Sequence, residues 1–314
     1  MFDLVFLGTS ASTPSAHRGL SAHMIMHRQY RFLLDCGEGT QRQILRSGLG
    51  FKRLDKVLLT HSHLDHIMGL GGLVSTLARW DVMEKFDIYG GRATLSRVSD
   101  LVFRVALRGN RTPTDVNLVE LKPYDVILED SKFKLSAFPV EHRGPDCLGY
   151  LFEEKSRRPF LEDKAAELDI PAGPERGHLV RGETVTLPDG RIIEPDQVLG
   201  EEIPGTKYVH IGDVGRTDTL IDICRDADAL VVESTYTKEE TEMAADYGHL
   251  TATQAAELAI AANVHTLILT HISRRHTERE IKREARAIFP NTFVARDFDH
   301  YQISRRNVVR LKQD

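Results

Sequence analysis

The sequence predicts an α/β protein, and three observations predict it. Short apolar runs recur and end abruptly at polar residues: KVLLTH, TKYVHIGD, ADALVVES and TLILTH. Segments with helix-start signals alternate with them late in the chain. Histidine and aspartate stand at the carboxyl ends of these runs, where α/β sheets collect their chemistry.

Taken in order, FDLVFLG reads as a first strand, followed by a Gly/Ser/Pro-rich loop to Gly19. SAHMIM and YRFLLD are strands, and GEGTQRQILRSG starts a short helix. KVLLTH is a buried strand ending at His61. LGGLVSTLARW is apolar on most sides, as expected of a helix packed on two surfaces or lying at a subunit contact. KFDIYG, KFKLSAFPVEH and CLGYLFEE are strands. Residues 155–203 then change character: RRPF, IPAGPERG, LPDG and EPDQ are rich in charge, Pro and Gly. This predicts an inserted, protruding arm. The core resumes with TKYVHIGD. Thr251 with Gln254, and Thr277 with Glu280, form capping-box patterns ahead of two helices. FVARD and HYQIS close the chain as expected edge strands. There is no internal repeat.

The 314 residues suffice for a large core, and 41% hydrophobic with 28% charged residues is ordinary for a soluble domain. No stretch approaches the roughly 18 apolar residues of a membrane span. The opening MFDLVFLGTSAST lacks a basic start and its apolar run stops at Gly8, so it reads as a strand and not a signal peptide. A cytoplasmic protein is expected. Cys36, Cys147 and Cys224 are odd in number and widely spaced, which excludes a disulfide framework and leaves them as small core residues. A net charge of −5 excludes a protein that coats nucleic acid by bulk charge, but not one with a local basic surface.

The strongest signal is His61-Ser62-His63-Leu64-Asp65-His66, directly after a buried strand. Without a cation, this spacing would crowd a carboxylate and three imidazoles that all need partners. Imidazole nitrogen and carboxylate oxygen are what zinc takes when no thiolate is offered. Side chains two apart on extended backbone point the same way, so His61 and His63 can share one ion. The chain then turns into a helix, where Asp65 and His66 can be directed at a second. Two ions need further ligands. His142 after FPVE, Asp213 after VHIG and His271 after LILT each end an apolar strand and converge on one sheet edge. Each alone reads equally well as a turn, cap or core residue; their joint occurrence carries the argument.

This series resembles the second to fifth motifs of the metallo-β-lactamase superfamily, and LLDCGEGTQRQ, with Asp35, resembles its first. The resemblance spans nearly the whole chain. It implies a four-layer αββα sandwich over residues 1–314, interrupted by the arm, and two zinc ions per subunit. It also implies His61, His63 and His142 on one zinc, Asp65, His66 and His271 on the other, Asp213 bridging both, and Asp35 supporting ligands without touching metal.

The fold alone does not settle the substrate. Four features are similar to the ribonuclease Z family: the opening FLGTSASTPS; the wording DCGEGTQRQI; Gly248-His249-Leu250-Thr251, an extra histidine motif partnered by Glu233; and an arm carrying Gly173-Pro174 and Gly177-x-Leu179-x-x-Gly182. Such an arm grips the tRNA elbow in that family's long form. The resemblance implies an endoribonuclease that cuts precursor tRNA 3′ of the mature end, leaving a tRNA 3′-hydroxyl and a trailer 5′-phosphate. Asp65, His249 and Glu233 would be catalytic, and the arm of one subunit in a homodimer would serve the other's site. One stretch departs from the pattern. The family's Pro-x-Lys-x-Arg-Asn loop is here Pro14-Ser15-Ala16-His17-Arg18-Gly19, which keeps Arg18 for RNA but lacks Lys and Asn. Residues 155–200 hold seven Lys/Arg against nine Asp/Glu, so phosphate contacts would fall to a subset, Arg157, Arg158, Arg176 and Arg181.

Two rivals remain at this level. A general phosphodiesterase or arylsulfatase-like hydrolase of the same fold predicts no tRNA affinity and no salt-dependent binding. A non-catalytic, zinc-stabilised RNA-binding protein would need a closed site of only four ligands, fewer than this chain offers.

Overall fold

The computed structural model describes residues 1–80, 83–108 and 113–312. In chain order the strands are β1 (Phe2–Gly8), β2 (Ala22–His27), β3 (Tyr30–Leu34), β4 (Lys56–Leu58), β5 (Lys85–Gly90), β6 (Asp115–Glu120), β7 (Val126–Glu129), β8 (Phe133–Pro139), β9 (Leu148–Glu154), β10 (Val185–Thr186), β11 (Ile192–Ile193), β12 (Lys207–His210), β13 (Ala229–Glu233), β14 (Leu267–Thr270), β15 (Thr292–Val294), β16 (His300–Ser304) and β17 (Asn307–Arg310). One sheet runs β17-β16-β1-β2-β3-β4-β5-β6, and a second runs β15-β14-β13-β12-β9-β8-β7.

Strand alternation explains why the sheets stack. Leu4 and Phe6 of β1 face the second sheet, in a core with Phe133, Tyr150, Phe152, Tyr208, Val231 and Ile268. Their neighbours Val5 and Leu7 point the other way, onto Ile44, Leu70, Leu73, Val74 and Leu77 of the covering helices. In the second sheet Leu230, Val232, Leu267 and Leu269 face outward onto Ala255, Ala256, Ala259, Ile281 and Ala285. Strands buried on both faces must be apolar at every position, which is why these runs are continuous and not alternating. The result is helix, sheet, sheet, helix: the metallo-β-lactamase fold.

LGGLVSTLARW forms the helix Gly69–Trp80, and its apolar residues Leu70, Leu73, Val74 and Leu77 are spent inside this core. The three cysteines are buried and free. Among the described residues no helix is long and apolar enough to cross a membrane.

Parallel pairing of β3, β4, β5 and β6, and of β12, β13, β14 and β15, sends the carboxyl ends of each set to one edge. Both capping boxes form. Thr251 Oγ1 accepts the Gln254 N–H at 3.2 Å, and Thr277 Oγ1 accepts that of Glu280 at 3.3 Å. One expectation is corrected. HYQIS is not an edge strand, because β17 pairs outside it after a polar Ser304–Asn307 turn. With only Val308 and Val309 as apolar residues, β17 carries too little pattern to announce itself.

Residues 154–205 form a second compact unit between β9 and β12. It holds the helices Glu162–Glu167 and Pro174–Val180 and the β10–β11 hairpin. Its own small core gathers Ala165, Ile170, Leu179, Val185, Leu187, Ile193 and Val198. These apolar residues are scattered singly along the sequence, so no long run betrays them.

Losing one N-cap should be visible in the whole-chain stability. Thr277→Ala is expected to cost about 1 kcal/mol, read as a lower urea midpoint at unchanged slope.

Candidate metal centre

The strand ends deliver the candidate side chains to one place. His61 follows β4 and His63 caps the short helix Leu64–Ile67, which carries Asp65 and His66. Asp213 follows β12, Glu233 ends β13 and His271 follows β14. Two close approaches depend on glycine. A side chain on Gly212 would meet Thr60 at 2.9 Å, so only glycine lets Asp213 reach the His61 loop. Gly248, with φ 67°, ends the helix Thr241–Tyr247 and offers its carbonyl to His142 Nδ1 at 2.6 Å.

Asp213 sits between two sets of metal-capable side chains. Its Oδ2 lies 3.5 Å from His61 Nε2 and 3.7 Å from His142 Nε2. Its Oδ1 lies 3.4 Å from His66 Nε2 and 3.3 Å from His271 Nε2. His63 Nδ1 completes the first set, 3.3 Å from His142 Nε2. Asp65 Oδ2 completes the second, 3.3 Å from His271 Nε2 and 3.7 Å from His66 Nε2. The facing atoms of His61, His63, His142 and Asp213, and those of Asp65, His66 and His271, lie within 4.8 Å of one another. Ligand atoms held at roughly 2.0–2.1 Å from a tetrahedral zinc stand about 3.3 Å apart, close to the 3.3–3.7 Å of these pairs.

The unpaired atoms point the same way. His61 Nε2, His66 Nε2 and Asp213 Oδ1 are buried and have no hydrogen-bond partner. Buried polar atoms are rarely left so; a cation in the first set would satisfy His61 Nε2, and one in the second would satisfy His66 Nε2 and Asp213 Oδ1. The donor set therefore fits a pair of metal ions.

Behind the ligands, the outward ring nitrogens are tied down. His66 Nδ1 meets Asp35 Oδ2 at 2.8 Å, and Asp35 Oδ1 accepts the Thr60 N–H at 2.8 Å. His61 Nδ1 is 3.0 Å from Thr60 Oγ1, and His271 Nδ1 is 2.9 Å from Thr235 Oγ1. Asp35 thus touches a histidine and the loop backbone but faces away from the cage. The Ser12 N–H donates to Asp65 Oδ2 at 2.8 Å, tethering the Ser10–Gly19 loop to the site. Thr60, Thr235 and Ser12 carry no signal in the sequence beyond lying beside motif residues.

His249 stands at the rim. Its Nδ1 is 2.8 Å from Glu233 Oε1 and 3.9 Å from Asp213 Oδ2. Burial pulls the His249 imidazole down, but the charge and hydrogen bond of Glu233, with Asp213, more than reverse this and raise it to about 9. Burial holds His61, His63 and His142 below the ordinary histidine range, aided by neighbouring histidines. Neutral imidazole is the form that ligates metal. At His66 burial is outweighed by Asp213, Asp35 and Asp65, which push it well up. Asp213 is held far below the carboxylate range by His271, His66 and His61, against its burial.

The arginines expected to meet RNA have mixed fates. Arg18 donates to Thr9 Oγ1 at 2.6 Å and to the Ala295 carbonyl at 2.7 Å, so its guanidinium holds the loop in place. In the arm, Arg158 donates to the Gly200 and Leu199 carbonyls and pairs with Asp196. Arg176 donates to the Pro171 and Ile170 carbonyls and lies over Phe160. Arg181 pairs with Glu183 on the surface, and Arg157 is exposed. Gly173 has extended backbone and Pro174 opens its helix.

A fold of two stacked sheets with this cage at one edge defines a metallo-β-lactamase-type hydrolase. A profile described as "Beta-lactamase superfamily domain" matches residues 186–272, and one described as "Anti-Pycsar protein Apyc1" matches residues 2–149. The chain is 48% identical over 303 residues to ribonuclease Z of Bradyrhizobium diazoefficiens, covering 96% of this chain and 99% of that one. It is 38% identical to ribonuclease Z of Archaeoglobus fulgidus, covering 97% and 98%. Among solved structures it is similar to human short-form tRNase Z, with a TM-score of 0.67 at 24% identity over 96% of this chain and 99% of that one. It is also similar to the metallo-β-lactamase fold protein YhfI of Bacillus subtilis, with a TM-score of 0.69 at 17% identity over 96% and 100%. The chain belongs to the ribonuclease Z family and is a hydrolytic nuclease.

Because its two oxygens face separate sets, Asp213→Ala should deplete both, whereas His271→Ala should deplete one. Metal analysis of the purified variants checks this; equal loss in both would refute a shared carboxylate.

Proposed function

We propose that this chain is the zinc-dependent endoribonuclease that cuts precursor tRNA 3′ of the mature end. The observation that carries this reading is the His249–Glu233 pair at the rim of a two-ion cage, in a chain of this family. His61, His63 and His142 would hold one zinc, Asp65, His66 and His271 the other, and Asp213 both. When bound, such a pair acidifies water and neutralises the charge that builds on a phosphodiester during in-line displacement.

The chain's own residues would then manage the protons. Asp65 is the least sealed carboxylate of the cage, with its side chain 12% exposed against 2% for Asp213. It would orient the attacking water and take its proton. His249, kept protonated by Glu233, would give its proton to the departing 3′ oxygen. The products are tRNA with a 3′-hydroxyl and a trailer with a 5′-phosphate.

The arm is proposed to bind the body of the tRNA. Exposed ion pairs such as Arg181–Glu183 contribute little stability, so Arg181 can exchange its carboxylate for a phosphate cheaply, and Arg157 is already exposed. Arg158, Arg176 and Arg18 would have to give up carbonyl contacts and are weaker candidates. A homodimer is proposed on family grounds. Leu64 and Met68, exposed at the two ends of the cage helix, support a covered surface there. The rival reading, a small-molecule phosphodiesterase, accounts for the cage but gives the arm no task.

Cleavage of labelled precursor tRNA, with and without an encoded CCA, mapped to the nucleotide, tests the assignment; no cut at the mature end would defeat it. His249→Ala should lower turnover about 10²–10⁴-fold with bound zinc unchanged. An acid works only while protonated, so wild-type turnover should fall as pH rises through the His249 pKa. That pKa is about 9 without metal and lower beside two cations. The alkaline limb should vanish in His249→Ala; a pH profile shared by both enzymes would remove His249 from that role. Replacing residues 155–203 with a short linker should weaken precursor binding and spare bis(p-nitrophenyl) phosphate. Equal loss on both substrates would refute a binding arm.

A further inference from the structure

We propose that Thr60 and Thr235 are positioning residues that decide which ring nitrogen of His61 and His271 faces the metal cage. The inference rests on reading the cage as a zinc site. A threonine hydroxyl has one proton to give. Thr60 Oγ1 lies 2.8 Å from Asp35 Oδ2 and 3.0 Å from His61 Nδ1. Thr235 Oγ1 lies against Glu233 Oε2 and 2.9 Å from His271 Nδ1.

Both carboxylates are surrounded by donors. Asp35 also receives the Thr60 N–H and faces His66 Nδ1. Glu233 also receives the Val214 N–H at 2.9 Å and faces His249 Nδ1. An ionised carboxylate only accepts. Each hydroxyl proton therefore goes to the carboxylate, and the hydroxyl lone pair is left for the imidazole. His61 and His271 must then carry their proton on Nδ1, which leaves the Nε2 lone pair bare. Nε2 is the atom that each aims at Asp213.

The two relays match. Each sheet supplies one buried carboxylate at a strand end, and each carboxylate orients two histidines: one directly and one through a threonine. Asp35 serves His66 and His61; Glu233 serves His249 and His271. Thr235 thereby ties a ligand of one set to the histidine at the rim, so its loss disturbs both.

Zinc-loaded, full-length protein labelled with 15N-histidine tests this without RNA. The wild type should show slowly exchanging Nδ1–H signals for His61 and His271. Thr60→Val and Thr235→Val should each weaken zinc retention against a competing chelator about 10–100-fold, while Thr60→Ser and Thr235→Ser stay within a few-fold of wild type. An Nε2–H signal on either histidine overturns the proposal, and that measurement needs no variant to fold. Valine variants that fold and keep zinc as tightly as wild type also overturn it. If the wild type itself takes up no zinc, the proposed function fails as well; if it holds two and the valine variants hold them equally, only this inference fails.

Discussion

The Asp213 carboxylate, almost sealed from water and faced by imidazoles on both oxygens, is the constraint to which the rest of the fold answers. An ionised carboxylate taken out of water costs several kcal/mol unless it is paired on all sides. No single strand or loop can surround it. Several chain segments therefore have to end at the same edge, and parallel pairing within each sheet aligns the ends of β4, β12 and β14 that carry the 61–66 loop, Asp213 and His271. Two stacked sheets, each sealed by helices on its outer face, provide the rigidity such a meeting needs.

The backbone around this point is strained in a consistent way. Asp35 and His271 both adopt left-handed conformations, with φ of 56° and 55°, a geometry that costs a non-glycine residue of order 1 kcal/mol or more. Each stands at the end of a buried strand, and each is over-determined by its contacts. Asp35 is gripped by Thr60 and His66; His271 is gripped by Thr235 and flanked by the Ile272 N–H bond to the Thr9 carbonyl. The strain turns the chain sharply enough to aim the side chains inward, and the hydrogen bonds hold it there.

The arm obeys different physics. Its core is seven small or medium apolar residues, and most of its charges pair across its own surface. Charges that are buried and aimed in the cage are exposed and exchangeable in the arm.

Much of this was legible before any coordinate. The His61–His66 cluster, the strand-end His142, Asp213 and His271, the two capping boxes and the break in character near residue 155 are all local patterns. They survive in sequence because periodicity and spacing act between residues a few bonds apart. β17 is not legible in sequence because two valines carry no period, and the inner burial of LGGLVSTLARW is not decided by its pattern because an apolar helix reads the same inside a core or under a partner. The inward, loop-holding role of Arg18 is unreadable in sequence, since its partners Thr9 and Ala295 come from opposite ends of the chain. So the sequence by itself determined the fold class and the identity of the metal-capable side chains. Only the tertiary structure decided which oxygen of Asp213 faces which set and that two threonines stand behind the histidines. Those facts depend on distances between residues far apart in the chain, which no local pattern encodes.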